Sequence, residues 1–405
     1  MMTTVKIAWR NIWRTPLRSM IVISSIVLGI WAGIFVVAFC YGLNKQRTQS
    51  SINNSISHIQ ILHPEYDNDF DNKAVLEDVN RITTVLENDG NLKAYSFRTL
   101  IYGMVSSPIK SNGVKIIGIN KNQERDVTNI VNNIIEGSYF DSNRKNGILI
   151  GESLAKKINV RLKSKVVLTF QDNENNIITS AFRITGIFKT QFSKYDQSHV
   201  YIQNKDLHRL TKNDGYHQVA IICNSIESVG KTKESLKNDL SKYVVKDWKD
   251  ISPELAYADE VMETWLILIM VIIMLALIFG IINTMLMAVF ERRKELGMLM
   301  AIGMNKSKVF SLIMIETLFL SLLGTPTGML LGAITVGITS RTGINLSIVG
   351  EGLQSVGLSN ITYPVIEPKF YFFIGIMVFL FTLIAAIYPS KKALKLKPTE
   401  AIRTL

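Results

Sequence analysis

A chain of 405 residues with a formal charge of +12 has room for two or three soluble domains and carries the sign of a nucleic-acid binder. Position removes both readings. The apolar residues, 47% of the chain, gather in four stretches free of any charge (19–44, 264–290, 317–340 and 370–390), which excludes a soluble enzyme, and the positive surplus gathers beside the ends of those stretches.

At about 1.5 Å per helical residue, each stretch is long enough to cross a hydrocarbon core of roughly 30 Å. Segments 1–18, 291–308 and 389–405 together hold fourteen Lys and Arg against three Glu. The long segment 45–263 is nearly balanced, with twenty-nine basic and twenty-seven acidic residues. This is the positive-inside pattern. It predicts that both ends of the chain are cytoplasmic and that 45–263 lies outside.

In chain order, 1–18 places Trp9 and Trp13, and likewise Arg10 and Arg14, four residues apart. On a helix this sets an aromatic face beside a basic one, the pattern of a helix lying in the headgroup region. Span one (19–44) reads as an uncleaved anchor. Cys40 follows Phe39, where a lipoprotein cleavage site would want a small residue, and the apolar run is longer than a signal-peptide core. Pairing of Cys40 with Cys223, deep in the next domain, is not expected.

Segment 45–263 mixes alternating and helical periods. Strands are predicted at 58–62, 92–107, 114–119, 147–151, 165–170, 181–188, 199–203, 217–223 and 244–248. Helices are predicted at 74–88, after Gly151, and at 227–242. The fold class is therefore a four-helix membrane protein with a mixed α/β extracytoplasmic domain of two subdomains. After Pro253 a helical pattern runs without a breaker into span two (264–290), which predicts a continuous stalk. A short turn (291–308) leads to span three (309–340), an outer loop (341–369), span four (370–390) and a cytoplasmic tail (391–405).

No phosphate-binding loop, zinc-helix motif or nucleophile elbow is present, and the five histidines show no ligand spacing. The expectation is no catalytic residue, no metal and no cofactor in this chain. Energy must come from a partner, and 291–308 is the segment suited to meet one. It offers Glu291, Arg292, Arg293, Lys294 and Glu295, then Leu296, Leu299 and Ile302 at helical spacing, with Gly297 and Gly303 between. The spacing fits either an apolar ridge for a groove on a cytoplasmic partner or an ordinary amphipathic connector. Within span three, Glu316 lies about 12 Å beyond Lys308 along the helix. At that depth it is a structural pair, a snorkelling side chain or a switch. Gly324, Gly328 and Gly332 recur every fourth residue and favour close helix packing.

The run E-R-R-K-E-L-G-M-L-M-A-I-G-M (291–304) resembles the coupling-helix signature of the FtsX-like permeases, the superfamily of MacB, LolC, LolE and FtsX. Glu316, the glycines after it, and Y-P-S-K-K-A-L-K-L-K-P-T-E-A-I-R (388–403) continue the pattern. The segments 5–18, 57–66, 114–124 and 182–190 are similar to the LolE-type branch. The resemblance spans essentially the whole chain and implies a MacB-like periplasmic core domain. It further implies a dimer of permeases, identical or paralogous, in a bacterial inner membrane, driven by a dimer of ABC ATPase subunits of the LolD type that bind ATP and Mg. Membrane lipids and a periplasmic lipoprotein carrier are implied partners; nucleic acid is not. The family's carrier-binding hook is a long, proline-flanked loop, whereas the matching loop here, 171–180, is short and lacks proline.

Three activities compete. They are lipoprotein extraction from the outer leaflet, MacB-like export of peptides, toxins or small hydrophobic compounds, and FtsX-like signalling, which the large outer domain disfavours. For lipid-linked cargo, two apolar rows are candidate walls of a lateral cleft between subunits: Trp31, Phe35 and Phe39 on span one, and Met262, Trp265 and Ile269 on span two. The same rows could simply meet lipid or each other.

Overall fold

A computed structural model describes residues 2–14, 16–140 and 145–394. The chain forms two compact units. The helical unit gathers the chain up to Asn44, Glu260–Asn345 and the chain from Ile361, and the α/β unit gathers Lys45–Asp259 with Leu346–Asn360.

The chain opens with α1 (Met2–Arg14) and α2 (Pro16–Ser51), then a π-helical turn (Ile52–Ile56). There follow β1 (Ile59–Leu62), α3 (Pro64–Asp69), α4 (Val79–Asn88), β2 (Leu92–Ser106) and β3 (Ser111–Ile119). Next come α5 (Lys121–Val127), β4 (Ile134–Gly137), β5 (Gly147–Gly151), α6 (Glu152–Lys157), β6 (Lys165–Gln171) and β7 (Ile177–Phe188). Then α7 (Ser193–Ser198), β8 (His199–Gln203), α8 (Asn204–Thr211), β9 (Gln218–Cys223), α9 (Val229–Asp239) and β10 (Val244–Asp247) complete the sheet. After α10 (Trp248–Ile251) come α11 (Pro253–Glu291), α12 (Arg293–Ala301), α13 (Lys306–Thr342), α14 (Gly350–Ser355) and α15 (Pro368–Ala393).

Among the described residues, α2, α11, α13 and α15 are the four helices long and apolar enough to cross a membrane. Their shared core is set by one close approach. Ile26, Ile30 and Ile34 of α2 project one face onto Gly324, Gly328 and Gly332 of α13. A Cβ built on Gly328 would sit 2.9 Å from Ile30 Cβ and 3.1 Å from the Val27 carbonyl, so the fit depends on a missing methyl. On its next face, α2 sets Gly29 against Leu277 and Gly33 against Met270 of α11. The outward residues, Leu28, Phe279, Leu330 and Phe372 among them, stay exposed, as lipid-facing side chains do.

In the α/β unit the sheet order is β10-β1-β9-β2-β3-β8-β5-β7-β4, and β6 bonds to both β2 and β7. That double pairing closes β2, β3, β8, β5, β7 and β6 into a six-stranded barrel. Its interior is filled by alternate residues of each strand, including Ile101, Val105, Ile116, Ile150, Leu168, Phe182 and Val200. Only β3–β8 and β5–β7 are parallel. The barrel closes tightly at Gly103, where a Cβ would meet the Thr169 carbonyl at 2.6 Å. The first half of β2 leaves the barrel to pair with β9, and β9, β1 and β10 continue as an open antiparallel sheet with its own core around Phe97, Ile221, Leu236 and Trp248. The two expected subdomains are thus one barrel and one open sheet sharing a single long strand.

Several boundaries move, each for a physical reason. Helix 74–88 begins only at Val79, because Leu76 N–H is taken by the Tyr216 carbonyl at 2.7 Å and Leu76 is buried. Strand 244–248 stops at Asp247, which caps α10 through a reciprocal capping box with Asp250. The loop expected at 171–180 is shorter still: Gln171 pairs with Ile177, and Asp172 accepts from Glu174 and Asn176 N–H within the turn. The tail from 395 onward lies outside the described residues.

Two buried histidines lock the sheet. His217 Nδ1 accepts the Leu100 N–H (3.1 Å), which requires Nε2 to carry the proton it donates to the Asn72 carbonyl (3.0 Å). His58 Nδ1 likewise accepts the Cys223 N–H (2.9 Å). Burial lowers both pKa values, that of His217 to about 4, because a charged imidazole would lose water and its acceptor nitrogen. His217 therefore contributes stability that is complete above its unfolded value near 6.5 and is lost as pH falls from there toward 4, about 3 kcal/mol in all. Denaturant unfolding of the full chain across that window, followed by circular dichroism, is expected to show this slope, and His217→Asn, an acceptor that does not titrate, is expected to flatten it. Equal slopes would contradict the assignment.

The glycine stripe generates a second expectation. Gly328→Leu should cost about 1–3 kcal/mol of stability by overpacking. Gly337→Leu, on the same helix with nothing within 4 Å of its Cβ position, should cost little. Equal melting shifts in detergent would contradict the close α2–α13 approach.

Candidate functional site

The segment singled out for a partner folds as α12, set off from α11 by a break at Arg292 (φ −95°, ψ 16°). Its far end is closed by a glycine. Gly303 has φ +102°, its N–H bonds to the Met300 carbonyl (3.1 Å), and Met304 N–H bonds to the Leu299 carbonyl (3.0 Å). This is the Schellman arrangement, which favours glycine because a Cβ is strained at positive φ. Asn305 then caps α13 by accepting from Ser307 N–H (3.3 Å). Gly303 therefore acts as a helix stop on an exposed position.

A chain of charges ties the segment down. The Arg292 guanidinium forks onto both oxygens of Glu316 at 3.0 and 3.1 Å, while its Nε donates to Glu295 at 3.1 Å. Glu295 also meets Arg14 of α1 at 3.1 Å. The two ends of this chain differ in weight. Arg14 is largely in the open and its pair contributes little. Arg292 and Glu316 are only 15% and 13% exposed. Breaking a sheltered bidentate pair leaves one charge without its partner, which is far costlier. Glu316 is thus a structural pair in this chain. Arg292 and Glu295, expected to set register on a partner, here link α12 to α13 and α1.

The apolar ridge also differs from its expected register. Leu296 sinks into the helical core with Met285, Val289 and Ile313, and Gly297 is buried beside it. Leu299 is half-buried, and Arg293 holds a buried Nε without a hydrogen-bond partner. The surface left over is Glu291, Lys294, Met298 and Ile302, the last two 55% and 80% exposed. Lys294, Met298 and Ile302 are spaced by four, a face that shares Ile302 with the ridge expected from the sequence.

The two rows proposed as cleft walls are placed as follows. Trp31, Phe35 and Phe39 form a stacked ladder with centroids 6.3 and 6.4 Å apart. Trp31 Nε1 donates to Thr335 Oγ1 of α13 at 2.9 Å. On α11, Met262 packs against the four-helix core, Ile269 is half-buried, and Trp265 is exposed. Among the described residues no ring contact joins the ladder to Trp265. On α1, Trp9 packs edge-on to Phe319 of α13 while Trp13 stays exposed, with Ala8 and Ile12 buried beneath.

Family comparisons agree with this layout. The model of the MacB-like periplasmic core domain matches residues 19–239, and that of the FtsX-like permease C-terminal region matches 267–398. The Buchnera aphidicola lipoprotein-releasing system transmembrane protein LolC is 25% identical, over 71% of each chain. The uncharacterized ABC transporter permease YknZ of Bacillus subtilis is 23% identical over 100% of this chain and 99% of its own. The crystal structure of the periplasmic region of MacB from Actinobacillus actinomycetemcomitans covers 51% of this chain and 95% of its own, at 16% identity and TM-score 0.35. With family models matched over 19–239 and 267–398, and four helices long and apolar enough to cross a membrane falling largely within those regions, the chain belongs to the FtsX-like, MacB-like superfamily of ABC transporter permeases.

Proposed function

We propose that the chain is the membrane subunit of a lipoprotein-releasing ABC transporter, extracting lipid-linked cargo from the outer leaflet of a bacterial inner membrane. A separate ATPase dimer of the LolD type hydrolyses ATP with Mg, and a second permease, identical or paralogous, completes the complex. The ends of the chain and α12 face the cytoplasm in this reading, supported by the fourteen-to-three excess of basic residues in the segments 1–18, 291–308 and 389–405.

The observation that carries the reading is the exposed stripe Lys294, Met298 and Ile302 along a short helix pinned from behind by Arg292–Glu316, with exposed Glu291 at the end of α11 beside it. An apolar knob flanked by charges suits a groove on a cytoplasmic subunit, and a pinned helix passes on a push rather than absorbing it. An unbroken α11 of 39 residues is suited to carry that displacement lengthwise. Cargo release needs a shield for acyl chains, since exposing each CH₂ costs about 0.8 kcal/mol. The half-exposed ladder Trp31–Phe35–Phe39 and the row Met262, Trp265, Ile269 would supply its walls between two subunits. The short turn at 172–176 favours a partner permease as the subunit that grips a periplasmic carrier.

The test is reconstitution with the ATPase. Ile302→Arg and Glu291→Lys, both on exposed positions, are expected to cut permease-stimulated ATP hydrolysis and cargo release at least about tenfold, the effect of one lost anchor of about 1.4 kcal/mol or more. The variants should remain in the membrane at wild-type levels. Wild-type stimulation by both would remove α12 as the coupling element.

A further inference from the structure

The chain enters the α/β unit at the end of α2 and leaves it at the start of α11. The entry is irregular. After Ser51 the helix widens into the π-helical turn Ile52–Ile56, closed by the Ser57 N–H on the Ile52 carbonyl at 2.9 Å. Such turns are rare and are found frequently at functional sites. The residue that follows has an unusual backbone. Ser57 has φ 59° and ψ 177°. Phe70, Asp78 and Lys212, also at positive φ, have ψ of 32°, 43° and 28° and lie in the left-handed helical well. The region that Ser57 occupies is held almost only by glycine, and a residue with a Cβ pays there the equivalent of about fivefold or more in an equilibrium.

The Ser57 hydroxyl does not compensate. The residue is fully buried and its Oγ has no hydrogen-bond partner. The strain is imposed from both sides. Upstream, Ile52 is buried in the core of the open sheet with Trp248 and Leu255. Asn54 Oδ1 accepts from Asn133 Nδ2, and the Ile56 carbonyl accepts from Gln60 Nε2, both at 2.7 Å. Downstream, the His58 N–H donates to the Ile221 carbonyl, and the His58 carbonyl accepts from the Trp248 N–H, both at 3.0 Å. Trp248 opens α10, the last element before α11, so one hydrogen bond joins the chain's entry to its exit. Converting the wide turn to an α-turn would hand the Ser57 N–H to the Asn53 carbonyl and free Ser57 from its strained backbone. The same change would turn α2 about its axis against a fixed His58.

We propose that the π-helical turn and Ser57 form a sprung joint, strained in this conformation and relaxed when α2 is turned or drawn against β1 during the ATP cycle. Strain in the starting conformation lowers the cost of leaving it. A displacement of α2 then reaches the sheet as a switch between two arrangements of one turn rather than as a gradual bend. The joint rests on the transporter reading for the force that drives it, and on Ser57 alone for the strain it holds.

The test compares Ser57→Gly, which removes the strain, with Ser57→Ala, which removes only the hydroxyl. In the purified full chain, Ser57→Gly is expected to melt about 2 °C or more above Ser57→Ala, although glycine gives the unfolded chain more freedom. Hydrogen exchange of the amides in 52–60, read by mass spectrometry, is expected to be about fivefold or more slower in Ser57→Gly than in wild type. In complexes reconstituted with the ATPase, ATP should speed that exchange in wild type, and Ser57→Gly should blunt the rise while hydrolysis continues. Ser57→Gly melting no higher than Ser57→Ala, or exchanging as fast as wild type, overturns the proposal because no strain is stored. Stimulated hydrolysis with exchange over 52–60 unchanged by ATP overturns the joint alone. A wild-type chain that stimulates no ATPase removes the transporter reading and the joint's role with it.

Discussion

The contact between Arg292 and Glu316 organises α12, the part of this permease proposed to meet its ATPase. A carboxylate within a membrane-crossing helix is expensive, and a guanidinium beside the helix end is its best available partner. Because the arginine sits at the break between α11 and α12, satisfying Glu316 also fixes where α12 begins and which face it shows. Leu296 and Gly297 then turn inward, and Lys294, Met298 and Ile302 turn outward. The direction of the proposed coupling surface follows from one ion pair rather than from the amphipathic pattern of α12 alone.

That pair works only on a firm base, which the α2–α13 contact provides. Without a hydrophobic driving force between helices in lipid, close packing and polar contacts must hold the bundle. Three glycines on α13 let three isoleucines of α2 reach its backbone, and Trp31 adds a hydrogen bond to Thr335 farther along the same interface. The α/β unit reaches firmness differently. A barrel closed by β6 has no free edge, and the open sheet beside it is pinned by imidazoles that accept backbone N–H groups.

Much of this was legible in the residues, because the relevant forces are local or periodic. Four charge-free stretches gave the spans, and charge asymmetry gave an orientation that remains part of the proposal. Alternation located β3, β5, β8 and β9 to within a residue or two, apart from an earlier start for β3. What escaped depends on distant partners. Nothing in Lys165–Gln171 shows that β6 bonds to both β2 and β7, so barrel closure was invisible. Arg292 looked like one more surface charge until Glu316, 24 residues on, was found beside it. Short helices such as α5 and α8, with too few turns for a periodic signal, were passed over. The helix-stop role of Gly303 was also hidden, since a helix stop and a close-contact glycine have the same letter.

The central claim is that Arg292 and Glu316 act as one clamp on α12, the proposed coupling helix. It is tested most directly by a double-mutant cycle on permease-stimulated ATP hydrolysis in reconstituted complexes, using Arg292→Met, Glu316→Gln and the double variant. Groups that act as a unit lose their effect together. The account predicts that each single substitution lowers stimulation about as far as both combined. Losses that multiply in the double variant, or single variants that keep full stimulation, would contradict it.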